Sequence, residues 1–148
     1  MKLSTKGRYG VRLMIDLAIH YGEGPVLLRE IAKREEISEK YLSNLVNPLQ
    51  ARGLVEATRG VHGGYVLGKR PAEITMKEIV EVLEGSLCLV DCVEKPAVCD
   101  RVALCVARDL WSEAAEGIGR ILGKYTLADM VLRQKAKREN VATDNYTI

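Results

Sequence analysis

All four cysteines of the chain fall between Cys88 and Cys105, in the run Cys-Leu-Val-Asp-Cys-Val-Glu-Lys-Pro-Ala-Val-Cys-Asp-Arg-Val-Ala-Leu-Cys. Thiolates are soft metal ligands, and the same groups serve as redox switches. Six residues separate Cys92 from Cys99, and five separate Cys99 from Cys105. That is neither the two-residue pairing of zinc ribbons nor the run of bacterial ferredoxins. Three readings stand on spacing alone. The thiols ligate a metal, or they form a switch in which Lys95, Arg101 and Arg108 favour thiolate, or they pack as small apolar side chains. Packing suits Cys88, beside Leu87, Leu89 and Val90, whereas Cys92 and Cys99 lie in a polar loop with Pro96.

A second group of residues has chemistry suited to a polyanion. The net charge of +2 conceals a division: residues 1–70 carry 12 Lys/Arg against 7 Asp/Glu (+5), and residues 71–148 carry 10 against 13 (−3). Within the basic half, Ser38, Lys40, Tyr41, Ser43 and Asn44 share the face of a helical pattern opposite Leu42, Leu45 and Val46. Asn reads an adenine edge with two hydrogen bonds, Ser serves bases or phosphates, and Lys and Tyr touch the backbone. Glu39 can accept from cytosine or simply favour the helix N-terminus. Arg59 and Gly60, with His62 close by, lie in the glycine-rich run 59–64, where an arginine can enter a narrow minor groove. Lys6, Arg8 and Tyr9 are candidate phosphate ligands near the start of the chain. The competing reading of each residue is plain solvated surface.

The elements that must position these groups follow from periodicity and caps. Apolar spacing gives a first helix over about Thr5–Tyr21 and a short second one over Leu28–Arg34. Ser38 then caps a third, running from Glu39 to about Arg52. Leu54–Thr58 and Tyr65–Leu67 form strands joined by the glycine-rich tip. Short helix, turn, capped helix and hairpin is the order of a winged helix-turn-helix, so the fold class is mainly α with a two-stranded wing. Thr75-Met-Lys-Glu78 reads as a capping box opening a fourth helix. A long helix follows over about Val102–Leu122, with Ala103, Ala107, Leu110, Ala114, Ile118 and Ile121 as its apolar stripe, widened by Trp111, Ala115 and Leu122. A last helix runs from Thr126 to about Lys137, and the polar tail from Arg138 is expected to fray.

The opening Lys2–Gly10, Tyr41-Leu42, the wing run Arg59-Gly-Val-His-Gly-Gly-Tyr-Val-Leu67, the stretch Cys105–Trp111 and Thr126-Leu-Ala-Asp129 resemble one family. It is that of the IscR-type iron–sulfur regulators, whose relatives include NsrR and CymR. The likeness covers about residues 1–132. It implies a homodimeric transcription regulator, a repressor, that binds near-palindromic double-stranded DNA. It also implies a 2Fe–2S cluster on Cys92, Cys99 and Cys105, and makes the long helix a dimerisation helix. The domains expected are a DNA-binding unit over 1–70, a sensor and dimerisation region over 71–137 (cysteine loop 88–105), and a flexible tail over 138–148. Two positions depart from the family. Arg8 and Arg108 stand where relatives supply an Asp or His as fourth ligand, and a guanidinium has no lone pair to offer. Cys88, Asp91, Glu94, Asp100, His62 or an external thiol are the candidates left.

Other classes fare worse. His20 and His62 are the only histidines, no Ser/His/Asp set is visible, and no glycine run has phosphate-loop spacing, so an enzyme is not expected. The start has no apolar run of signal-peptide length, and no segment approaches the roughly 18–20 apolar residues of a membrane span. A cytoplasmic protein without membrane contact is expected, in a compartment where disulfides are rare. The runner-up function is a thiol- or metabolite-responsive regulator of the CymR type, which acts through a protein partner without a cluster.

Overall fold

The computed structural model describes residues 2–146. Ser4 opens α1 (Thr5–Ile19) by accepting from the Lys6 N–H at 3.1 Å. After a glycine-rich turn come α2 (Leu28–Glu35) and α3 (Glu39–Ala51). Between them Glu36 takes a left-handed conformation (φ 53°), and Ser38 caps α3 by accepting from the Tyr41 N–H at 3.2 Å. β1 (Val55–Thr58) and β2 (Gly64–Leu67) pair antiparallel, with Val55 opposite Leu67 and Thr58 opposite Gly64. A bridge from Val26 to Tyr65 ties β2 of this wing to the α1–α2 connection. The winged helix-turn-helix is therefore as the pattern predicts.

The core does not stop at residue 70. Leu13, Met14, Ile31, Leu42, Val46 and Leu49 are fully enclosed, and Ile74, Ile79 and Leu127 belong to the same cluster. Ile79 comes from α4 (Met76–Glu84) and Leu127 from α7 (Leu127–Asn145), so both helices complete the head's interior. Each such side chain contributes on the order of 1.5–3 kcal/mol by leaving water. The starts of α4 and α7 are tied by a bridge between Thr75 and Thr126, in which the Met76 N–H donates to the Tyr125 carbonyl and the Leu127 N–H to the Ile74 carbonyl, each at 2.9 Å. Between them lie the short α5 (Asp91–Glu94), 3-10 turns at Pro96–Val98 and Val102–Leu104, and α6 (Val106–Lys124).

Three expectations need correction. The long helix begins at Val106, because Cys105 is extended (φ −94°, ψ 98°) and residues 102–104 form a separate 3-10 turn. The Thr75 box is half made: its hydroxyl accepts from the Glu78 N–H, but the Glu78 carboxylate turns to Lys69 at 2.9 Å. The complete box is at Thr126, where Asp129 accepts from both the backbone N–H and the hydroxyl. Finally, α7 continues to Asn145, past the expected fraying point; Thr147 and Ile148 of the expected tail lie outside the described residues.

Candidate nucleic-acid interface and cysteine loop

The chemistry of α3 is sorted by its own periodicity. Leu42, Leu45, Val46 and Leu49 turn into the core, which leaves Lys40, Ser43 and Asn44 exposed on the other side. Lys40, Ser43, Asn44 and Tyr65 border a shallow depression between α3 and the wing. Arg59, Gly60 and His62 are exposed at the hairpin tip, and Lys6 and Arg8 are exposed on the first turns of α1. Ser38 is exposed too, with its oxygen engaged as the helix cap. Tyr9 and Tyr41 differ from these in being half-buried. Their rings meet edge to face with centroids 5.9 Å apart, and the Tyr41 hydroxyl donates to Thr5 Oγ1 at 2.9 Å. The guanidinium groups of Arg8 and Arg12 lie 5.7 and 5.6 Å from the Tyr9 ring, within cation–π range. The two tyrosines thus fasten the front of α1 to the front of α3.

Sequence reasoning missed the ion pairs that fasten α2 to α1. Asp16 is 2% exposed, the one buried charged residue among those described. Arg34 of α2 grips it with two parallel bonds of 2.8 Å, from Nε to Oδ2 and from an Nη to Oδ1. This carboxylate bond raises the Arg34 pKa above its ordinary value, against a smaller opposing effect of burial. One turn earlier, Arg12 Nε donates to Glu35 Oε2 at 2.9 Å and an Arg12 Nη donates to the Glu35 carbonyl. The two arginine–carboxylate pairs run in opposite senses and pin the end of α2, where the turn into α3 begins. A visible signal existed: Asp16 interrupts the apolar face Leu13, Met14, Leu17 and so requires a cationic partner.

The cysteine loop is built more loosely. Cys88, Cys92, Cys99 and Cys105 are all half-buried and free of disulfides. Cys88 borders an open, mainly apolar groove of about 800 Å³ between α4 and α6, shared with Val80, Trp111 and Ile118. Arg108 Nε donates to the Cys92 backbone carbonyl at 3.0 Å, so this cation braces the loop's main chain. Among the described residues no three His, Cys, Asp or Glu side chains gather where one metal ion would meet them. Three thiols are suitable donors in kind, but in this conformation their arrangement does not fit a cluster.

The stripe predicted for the long helix is also open. In α6 only Ala115 and Gly119 are buried, whereas Leu110, Trp111 and Ile121 are exposed at 55%, 40% and 62%. No helix of the described residues is long and apolar enough to cross a membrane.

Residues 3–133 match the sequence model of the Rrf2 family, described as an iron-dependent transcriptional regulator. The chain belongs to the Rrf2 family. It is 41% identical over 131 residues to protein rrf2 of Nitratidesulfovibrio vulgaris, covering 88% of this chain and 87% of that one. It is 42% identical over 141 residues to the HTH-type transcriptional regulator CymR of Bacillus subtilis, covering 94% and 96%. The solved structure of that CymR, titled a global cysteine regulator, superposes with a TM-score of 0.76 over 90% of this chain and 98% of its own. T. potens IscR superposes with a TM-score of 0.75 at 41% identity, over 90% and 88%. Like these Rrf2-family relatives, the chain is a DNA-binding transcriptional regulator and not an enzyme.

Proposed function

We propose that the protein is a homodimeric repressor that binds a near-palindromic site in double-stranded DNA and answers to the state of its cysteine loop. The exposed polar face of α3, beside an arginine-bearing wing, is the observation that carries the DNA-binding half of this reading. Lys40, Ser43 and Asn44 enter the major groove, Arg59, Gly60 and His62 reach the flanking minor groove, and Lys6, Arg8 and Ser38 meet phosphates. Tyr9 and Tyr41 help by aligning the two helices. The open stripe Leu110, Trp111 and Ile121 supports pairing of α6 with a second copy, which sets two reading heads about a two-fold axis. In this division of labour residues 1–70 read DNA and residues 71–137 sense and dimerise. A cytoplasmic protein belongs with this reading.

For the sensor we assign Cys92, Cys99 and Cys105 as ligands of a 2Fe–2S cluster. The family's iron-dependent description and the three free thiols support this. The loop must rearrange to gather them, with the fourth ligand drawn from Cys88, Asp91, Glu94, Asp100, His62 or an external thiol. A second reading has the thiols themselves respond to oxidation or to a cysteine-related metabolite, acting through a protein partner. The dispersed thiols and the Arg108 contact to the Cys92 carbonyl favour it.

Anaerobic purification with iron, sulfide and zinc analysis separates the two. Stoichiometric iron and sulfide that disappear in Cys92→Ser are expected. Their absence after reconstitution would leave the thiol reading. The DNA-binding half is tested by titrating a palindromic duplex at several salt concentrations. The affinity should fall steeply, with a log–log slope of roughly −0.9 per phosphate neutralised. No salt-dependent binding in any state would overturn the repressor reading.

A further inference from the structure

Glu84, the last residue of α4, is the carboxylate on which the N-terminus of α1 closes. Its Oε1 accepts from the Ser4 N–H at 2.9 Å, the Ser4 hydroxyl at 2.5 Å and the Gly7 N–H at 2.9 Å. A charged acceptor strengthens each bond, and the N-terminal end of a helix favours a negative charge. Small residues make the approach possible. A Cβ on Gly7 would lie 2.5 Å from that oxygen, and one on Gly10 would overlap the Leu83 side chain. Gly7 and Gly10, nearly one turn apart, therefore admit the last turn of α4 against α1.

The same first turn of α1 leads onward to the recognition helix. Thr5 Oγ1 accepts from the Tyr41 hydroxyl, and the Tyr41 N–H in turn donates to Ser38, the cap of α3. In the other direction Glu84 is followed by Gly85, whose φ of +88° opens the path from α4 into the cysteine loop. Three observations therefore meet at one side chain: an anchored helix start, a route to α3, and the departure point of the loop.

We infer that Glu84 is a positioning residue for DNA recognition. Its carboxylate holds the first turn of α1, and through Thr5 and Tyr41 the leading end of α3, in register with the end of α4 from which the cysteine loop departs. A loop movement that withdraws Glu84 releases three hydrogen bonds together. The turn bearing Lys6 and Arg8 and the cap of α3 then shift as one population. The inference rests on the DNA-binding reading only for the second of its two readouts.

The first readout is backbone amide hydrogen exchange in Glu84→Ala, without DNA. Faster exchange at Gly7 is expected from the lost bond itself, and faster exchange at Tyr41 is expected only if the effect is transmitted. A change confined to residues 4–7 would overturn the inference. The second readout is duplex affinity in Glu84→Ala, Tyr41→Phe and the double variant. Glu84→Ala should weaken binding about tenfold, the value of one bond to a charged group. The double variant should bind no worse than the weaker single one, whereas losses that multiply would mean two independent contacts and overturn the path. If the wild-type chain binds no duplex, the repressor reading fails and the exchange readout still decides this one. Glu84→Gln, which removes the charge that strengthens all three bonds while keeping the side chain's size, carries both readouts should Glu84→Ala not fold.

Discussion

In the reading head, Leu13, Met14, Ile31, Leu42, Val46 and Leu49 are enclosed on all sides, whereas no residue between Ser86 and Cys105 is buried. The head is a packed interior with capped helices and paired charges. The loop is four-residue and three-residue turns held by backbone contacts and one arginine. A close-packed interior resists rearrangement, while a segment with few buried apolar groups opens at low cost. The recognition surface therefore sits on the part of the chain that holds its shape, and the thiols sit on the part that can change it.

The largest expected effect tests that contrast directly. Leu42→Ala empties a fully buried site and should cost about 2–5 kcal/mol of stability, whereas Val98→Ala, 59% exposed, should fall within about 0.5 kcal/mol. Urea denaturation followed by circular dichroism measures both, and equal losses would erase the distinction between head and loop. Next in size, Arg59→Ala should weaken duplex binding by about 1–3 kcal/mol while leaving the denaturation midpoint in place. Undiminished affinity and specificity would remove the wing from the interface.

The smallest effect is one of pH. Hydrogen bonds from the Thr126 N–H, then from its hydroxyl, hold the Asp129 carboxyl below its usual range. The cap's contribution is therefore complete above the ordinary Asp value of about 3.9 and is lost as pH falls through the lowered folded value. Amide exchange at Asp129, whose N–H donates to Thr126, should quicken in that acid window, and Asp129→Asn should lack this step.

Much of the fold was legible because local signals agree with one another. Ser38 and Thr126 cap the helices their positions imply, and the apolar faces of α1 and α3 are the faces that bury. The start of α6 differs from its periodicity for a physical reason: Ala103 continues an apolar spacing that the extended Cys105 interrupts. The end of α7 is hidden because a polar tail suggests fraying, although Arg, Gln, Lys, Ala and Glu all favour helix. Periodicity marks the apolar stripe of α6 but cannot say whether this chain or another covers it. Cysteine spacing has the same limit, since it names possible donors without fixing where a flexible loop carries them. The pairing of Asp16 with Arg34 and of Glu84 with Ser4 depends on helix crossings that no linear spacing encodes.

The bridge between Thr75 and Thr126 has a topological consequence. Each threonine caps its own helix with its side chain, while the adjoining backbone groups knot the two helix starts together. The cysteine turns and α6 are thereby an excursion whose two ends are stitched at its base. Cutting the chain after residue 70 would remove Ile74, Ile79 and Leu127 from the interior and leave its floor open to water. Shortening the excursion between Gly85 and Lys124 would leave that floor in place. The thiols and the exposed stripe are in this sense a graft that can vary without unmaking the head that carries it.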